Sequence, residues 1–451
     1  MKIFNHQPLD HSLRAKALKK MLFTGLLTGL VATASFAGSS LAQSGSSQPV
    51  LSKSEPSPSV LSGSHQSIFN EADNRLRENI NQLLAEHHLP GMVLKIKHRG
   101  EVIHFDAYGK VNVNKAEPMD KNALFRIYSM SKPITAFALL QLVDKGKVSL
   151  DDDIRDYLPE FEPFEVDGNL HTVTVHHLLS HTAGFGYGGG FKNWVDIRYL
   201  LANPLSRSNS LDDLVDDLSG IDLKFAPGER FNYSIASDIQ GAIIEKVSGL
   251  SLDAYFKTHI FNPLGMTDTS FTIAKEQASR LVDMYEFDAE TFENAKTFKK
   301  EQIEFIELAE DSEFLESPEL LSGGGGLVST AQDYAKFVTL LANSGQYNGK
   351  TLLSKDLADK MLSSHTQGLD THFLPRVFSD TGFGYGVGVK EQDGENRHKG
   401  AFFWAGLGGT LFWADPKAEL EVVAMMQVED GWIALDNWLV PQVYELIDSN
   451  L

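Results

Sequence analysis

The chain carries its strand signals at its two ends and its helical patterns between them. Near the start, Met92-Val93-Leu94-Lys95-Ile96-Lys97 and Val102-Ile103-His104-Phe105 read as strands joined by a turn at Arg99-Gly100-Glu101, with a third extended piece near 107–113. Strand signals return only at 384–390, 401–404, 410–414 and 421–427. An apolar strand face must be covered, and short strands far apart in sequence satisfy each other best in one sheet. The expected fold class is therefore α+β, an α/β sandwich. One antiparallel sheet is built from both chain ends and flanked by helices, with a mainly helical region inserted over about 150–325.

The helical patterns are specific. Ile68, Ala72, Leu76, Ile80, Leu83 and Leu84 recur at helical spacing over 68–88. Further helices are expected at 211–218, 234–247, 252–260 and 433–447. Thr330 with Asp333 caps another, with Tyr334, Phe337 and Leu340 as its stripe and Gly345 at its end. The stretch 286–320 is rich in Glu and Asp and reads as an exposed, solvated excursion.

Ahead of the early strands, Lys16, Lys19 and Lys20 precede a short apolar run, 21–31, and then small residues. That is the pattern of an export signal over 1–42, cleaved after Ala37 or Ala42, rather than of a stable membrane span. Residues 43–66 are rich in Ser and Pro and read as a disordered linker, so the folded domain is expected at 67–451. The expected location is periplasmic or secreted. The formal net charge is −20; residues 1–42 hold five basic groups and one acidic, which leaves −24 for the rest. Such acidity argues against nucleic-acid partners. There is no cysteine, which excludes disulfides and thiolate metal sites.

Chemistry concentrates in Phe125-Arg126-Ile127-Tyr128-Ser129-Met130-Ser131-Lys132-Pro133. Ser129 and Lys132 are three residues apart at a helix start, so their side chains share a face. A lysine dried by its neighbours is expected to lose its proton near neutral pH and to take one from the serine. Pro133 fits only near the first turn, and Gly146 suits the helix end. Tyr233, just before the 234–247 helix, is a candidate second proton carrier. Phe402-Phe403-Trp404-Ala405-Gly406-Leu407-Gly408-Gly409-Thr410 is a glycine-rich strand edge able to offer a backbone N–H to an oxyanion.

Together these segments resemble serine hydrolases of the class C β-lactamase and penicillin-binding protein superfamily, and most of all their esterase branch, the family VIII carboxylesterases. Ser129-Met130-Ser131-Lys132 matches the first motif, Tyr233-Ser234-Ile235 the second in its tyrosine, and Trp404-Ala405-Gly406 a Trp-x-Gly third motif. His176-His177-Leu178-Leu179-Ser180-His181-Thr182-Ala183-Gly184 and the Gly323-Gly324-Gly325-Gly326 run also look familiar. The resemblance implies an acyl-enzyme on Ser129, with Lys132 as base and Tyr233 sharing the proton work. It also implies an oxyanion hole from the N–H groups of Ser129 and Leu407, and a substrate pocket including Trp404, Gly406 and Ile235. No cofactor is implied.

β-Lactamases of this group usually carry Asn where Ile235 stands, and Lys or His where Trp404 stands. Apolar groups there suit an uncharged ester better than a charged amide. A small-molecule ester or amide is the expected partner. A β-lactamase or D-amino-acid peptidase remains an alternative, with Arg126, Arg198 or Lys399 as the missing cation. A non-catalytic binding protein on a degenerate hydrolase scaffold is another, and transfer of the acyl group to an alcohol is compatible. His177 and His181 have zinc-like spacing, but Leu178 replaces the glutamate of His-Glu-x-x-His, so no metal is expected. Gly184-Phe185-Gly186-Tyr187-Gly188-Gly189 follows a helical pattern and reads as a mobile loop beside the pocket, not a dinucleotide site. No Gly-x-Ser-x-Gly elbow is present.

Overall fold

The computed structural model describes residues 63–112, 117–187, 194–287, 303–369 and 380–449. The signal and most of the linker reading fall outside these residues. The first helix is α1 (Gly63–Glu86).

Strands β1 (Gly91–His98) and β2 (Glu101–Gly109) form the early hairpin. Arg99 and Gly100 turn it with φ of 52° and 82°, the doubly left-handed geometry of tight hairpins. Residues 107–109 are the end of β2 rather than a third strand. The short β3 (Phe125–Arg126) leads through a 3₁₀ turn at Tyr128–Met130 into α2 (Ser131–Asp144). Then come α3 (Val175–Leu179), α4 (Ala236–Ser248), β4 (Met284–Phe287), β5 (Ile303–Glu307), β6 (Val328–Ser329) and α5 (Ala331–Ala342). The late strands are β7 (Thr381–Phe383), β8 (Gly388–Lys390), β9 (Phe402–Gly406), β10 (Thr410–Asp415), β11 (Leu420–Met425) and β12 (Val428–Glu429). Helix α6 (Trp432–Asp448) is the last described element.

Among the described residues, the main sheet has seven strands in the order β7-β8-β9-β10-β11-β1-β2. Every pairing in it is antiparallel, and β1 meets β11 through pairs such as Leu94↔Ala424. The two chain ends thus join in one sheet, as the strand signals require. Its faces follow the period of two. Met92, Leu94, Ile96, Leu411, Trp413, Val422 and Ala424 pack with α1 and α6 through Leu76, Ile80, Leu435 and Leu439. Val93, Phe402, Trp404, Phe412, Val423 and Met425 face the larger core with α2, α4 and α5. Since both faces are covered, β10 is buried along its whole length, which is why its sequence reads as a run rather than an alternation.

Two expectations need correction. The acidic stretch 286–320 is not simply a solvated surface. Strands β4 and β5 pair within it, β12 joins them in parallel, and Phe314 is buried. Glu307 bonds the buried Arg126 guanidinium at 2.9 Å, so one acidic residue satisfies an interior charge. The piece 384–390 is strand only from Gly388; Gly384 to Val387 is a tight turn, closed by a 2.8 Å backbone bond and a φ of 77° at Gly386.

Candidate active site

The site is built around the turn between β3 and α2. Strand β3 pairs with β6 through Phe125↔Ser329 and Arg126↔Val328. Gln427 ties the same strand to the turn between β9 and β10: the Arg126 amide donates to Gln427 Oε1 at 2.8 Å, and Gln427 Nε2 donates to the Gly408 carbonyl at 3.1 Å. Tyr128 then turns the chain with φ of 40°. A non-glycine residue there stores on the order of 1–3 kcal/mol, which the surrounding structure must hold. The Tyr334 hydroxyl donates to the Met130 carbonyl at 2.8 Å, and the Leu327 amide donates to Ser131 Oγ at 3.2 Å. Ser129 is left half-buried on this braced turn.

Helix α2 is apolar on nearly all sides and buried from Ser131 to Leu142, as a central core helix should be. It ends at Asp144, with Gly146 at φ of 65° just beyond. The core placement carries Lys132 inside, where it is only 1% exposed. Its Nζ lies 3.1 Å from Ser129 Oγ and 2.6 Å from the Gly324 carbonyl. It also sits 4.7 Å from the Tyr233 ring centre and 5.4 Å from that of Tyr187.

Two loops bring these phenols together. The Asn232 side chain donates to the Phe185 carbonyl at 2.6 Å, and the Ile235 amide donates to the Gly186 carbonyl at 3.2 Å. This lacing sets the Tyr187 and Tyr233 rings 5.7 Å apart, with Trp404 5.4 Å from Tyr233 on its other side. Ile235 itself is fully buried in the main core; Tyr187 is the residue beside Lys132. His181, behind Tyr233 at 5.0 Å, accepts the Ser234 amide on Nδ1 at 3.2 Å. His177 instead caps α3 with Thr174, so the two histidines serve separate partners.

The strand edge comes from β9. A Cβ on Gly406 would stand 2.2 Å from the Ile127 carbonyl oxygen, and one on Gly408 3.0 Å from the Tyr128 ring. Only glycines let this edge close against the serine turn. Leu407, between them, is 42% exposed, and its carbonyl accepts the Asp430 amide at 2.7 Å. Trp404 is nearly buried and packs edge-on to Phe383 at 5.1 Å. The surroundings of Tyr233 on this side are thus aromatic.

The electrostatics differ from the expectation of a neutral amine. Burial disfavours the Lys132 ammonium, but the Tyr187 and Tyr233 phenol oxygens outweigh it and hold Lys132 above the usual lysine range. Burial pushes the Tyr187 phenol up, so it is neutral near pH 7. Burial, aided by the Lys132 charge, drives His181 well below the usual histidine range. The resting Lys132 therefore keeps its proton beside a neutral Tyr187.

The three cations considered for a substrate carboxylate have other surroundings. Arg126 bonds Glu307 and the Val282 carbonyl, Arg198 pairs with Asp222 at 3.8 Å, and Lys399 is exposed between β8 and β9. Sequence reasoning missed Tyr187, Gln427 and Gly324. Tyr187 sat in a glycine-rich loop with no periodicity to place it; Gln427 and Gly324 act through contacts far apart in sequence.

Among known proteins, the chain is 30% identical over 369 residues to Esterase EstB of Burkholderia gladioli, covering 78% of this chain and 89% of that protein. Its fold matches EstCE1, described as a hydrolase with promiscuous acyltransferase activity, with a TM-score of 0.70 and 27% identity over 86% of this chain and all of that one. It matches a simvastatin synthase (LovD) variant from Aspergillus terreus with a TM-score of 0.67 over 84% of this chain and 98% of that one; at 22% identity this likeness speaks for the fold alone. The sequence profile of the Beta-lactamase family matches residues 76–439. With that coverage, and with an esterase relative over most of its length, the chain is a serine hydrolase that belongs to the beta-lactamase family.

Proposed function

We propose that the protein is a carboxylesterase that works through an acyl-enzyme on Ser129. The observation that carries this reading is the 3.1 Å approach of a fully enclosed Lys132 amine to the Ser129 hydroxyl. Lys132 and Tyr233 act as one proton-carrying pair, with Tyr187 as a further acceptor on Lys132. The working form is the pair with one proton removed, whichever member has lost it. Ser129 Oγ attacks the ester carbonyl carbon as its proton passes to the pair. The N–H groups of Ser129 and Leu407 receive the oxyanion. The C–O bond to the leaving alcohol then breaks, and the alcohol takes the proton from the pair. Water repeats the steps and releases the acid.

The substrate is an uncharged small ester. Trp404 and Leu407 supply apolar surface, and the arginines considered for a carboxylate are paired elsewhere. The likeness to Esterase EstB supports an ester as the substrate. Transfer of the acyl group to an alcohol other than water is the second reading, supported by the likeness to EstCE1. Export, signalled by residues 1–42, remains part of the proposal. The direct test is rapid mixing with a p-nitrophenyl short-chain ester: a burst of chromophore equal to the enzyme concentration is expected. Release with no burst, together with no trapped acyl-enzyme on acid quench, counts against it.

A further inference from the structure

Helix α4 carries a carboxylate that no step above uses. Asp238 is fully buried, and burial raises its pKa. Its Oδ1 accepts the Ser322 hydroxyl at 2.6 Å and the Gly324 amide at 3.0 Å. Its Oδ2 is buried with no hydrogen-bond partner among the described residues. Leaving a buried carboxylate oxygen unpaired is costly, so its retention calls for a compensating role. The compensation is at hand. Gly324, gripped through its amide by Asp238, is the residue whose carbonyl holds Lys132 Nζ at 2.6 Å. The fit is close: a Cβ on Gly324 would stand 2.5 Å from Asp238 Oδ2, and one on Gly323 2.7 Å from the Ser237 carbonyl. The 322–324 segment therefore has little freedom to move away from α4.

We propose that Asp238 is a positioning residue for proton transfer: it clamps the Ser322–Gly324 segment so that the Gly324 carbonyl aims the Lys132 amine at Ser129, and it is the interior counter-charge to that amine. The inference rests on the proposed role of Ser129 and Lys132. Burial raises the Asp238 pKa overall, while the Ser322 hydroxyl, the Lys132 charge and the Gly324 amide each act toward the ionised carboxylate. Its field acts on Lys132 within the buried interior, where charges are weakly screened. The titratable groups facing Lys132 are Tyr187 and Tyr233 on the laced loops, His181 behind them, and Asp238 on α4. Of these, Asp238 is the carboxylate.

The sign of the effect follows. A buried negative charge favours the protonated pair; removing it makes the pair lose its proton at lower pH. Asp238→Asn keeps the size of the side chain and removes the charge. In that variant the acidic limb of the kcat/KM profile, measured with a p-nitrophenyl ester, moves down by roughly one pH unit. The high-pH plateau falls about 10-fold as the clamp loosens. Ser322→Ala removes one bond to Oδ1 and keeps the charge: the plateau falls about 3-fold and the limb stays put. A clamp of purely structural value would lower melting temperature in both variants and move neither limb. If Asp238→Asn folds and its limb does not move, the inference is wrong. If it does not fold, Ser322→Ala decides, and an unchanged plateau there overturns the inference. Fluorophosphonate labelling of Ser129 in the unaltered protein tells this failure from failure of the site itself: labelled protein with unaffected variants sinks only the role of Asp238.

Discussion

Lys132 is anchored to the Gly324 carbonyl at 2.6 Å, a shorter contact than its 3.1 Å reach to Ser129 Oγ. The amine is thus aimed by the protein before any substrate arrives. Preorganisation of this kind lowers the barrier because no group must be gathered during the reaction.

Replacing Lys132 with alanine removes both the proton acceptor and the charge. The expected loss in kcat/KM is about 10³-fold or more. Steady-state assay of a p-nitrophenyl ester measures it, with circular dichroism to confirm the fold. A loss under about 10-fold contradicts the assignment.

The pH profile has a definite sign. Burial opposes the charge on Lys132, yet the two phenols raise its pKa, so the pair holds its proton to high pH. In the proposed mechanism the working pair has one proton removed. The rate therefore climbs with pH, and its acidic limb lies on the alkaline side of neutrality. A kcat/KM profile from pH 5 to 10 is the measurement. A limb below about pH 6, well under the usual lysine range, contradicts this picture.

Tyr187→Phe removes one acceptor from Lys132 and leaves the ring. The pair then loses its proton more easily, so the acidic limb shifts to lower pH. The plateau is expected to fall about 10-fold, with melting temperature nearly unchanged. A profile identical to that of the unaltered protein makes Tyr187 a packing residue.

Gly406→Ala tests the strand edge. The new methyl would stand 2.2 Å from the Ile127 carbonyl, so β9 must retreat from the serine turn. Acylation is expected to slow about 10²-fold, the order associated with losing an oxyanion donor. Stability should fall by about 1–3 kcal/mol. Full activity in this variant means that the Leu407 region does not serve the oxyanion.

Much of the fold is legible in the sequence because the sheet strands are short and strongly apolar. The pairing of β1 with β11 follows from strand signals at opposite ends of the chain. The Ser129–Lys132 spacing points to their contact, although Ser129 lies on the 3₁₀ turn just before α2 rather than on the helix. Other parts depend on tertiary contacts that local pattern does not encode. The 303–307 strand is acidic, yet it pairs with β4 and supplies Glu307 to Arg126. Tyr187 reaches Lys132 only because Asn232 and Ile235 lace its loop to another, some 45 residues later. The charge of Lys132 escapes local pattern for a related reason. Burial is predictable from an apolar helix, but the phenols that outweigh it come from two distant loops.

The measurement closest to the central claim is intact-mass analysis after exposure to a fluorophosphonate, with the modified peptide located. One adduct per chain on Ser129, absent from Ser129→Ala, is the expected result. An adduct on another residue, or undiminished labelling of the alanine variant, contradicts the account.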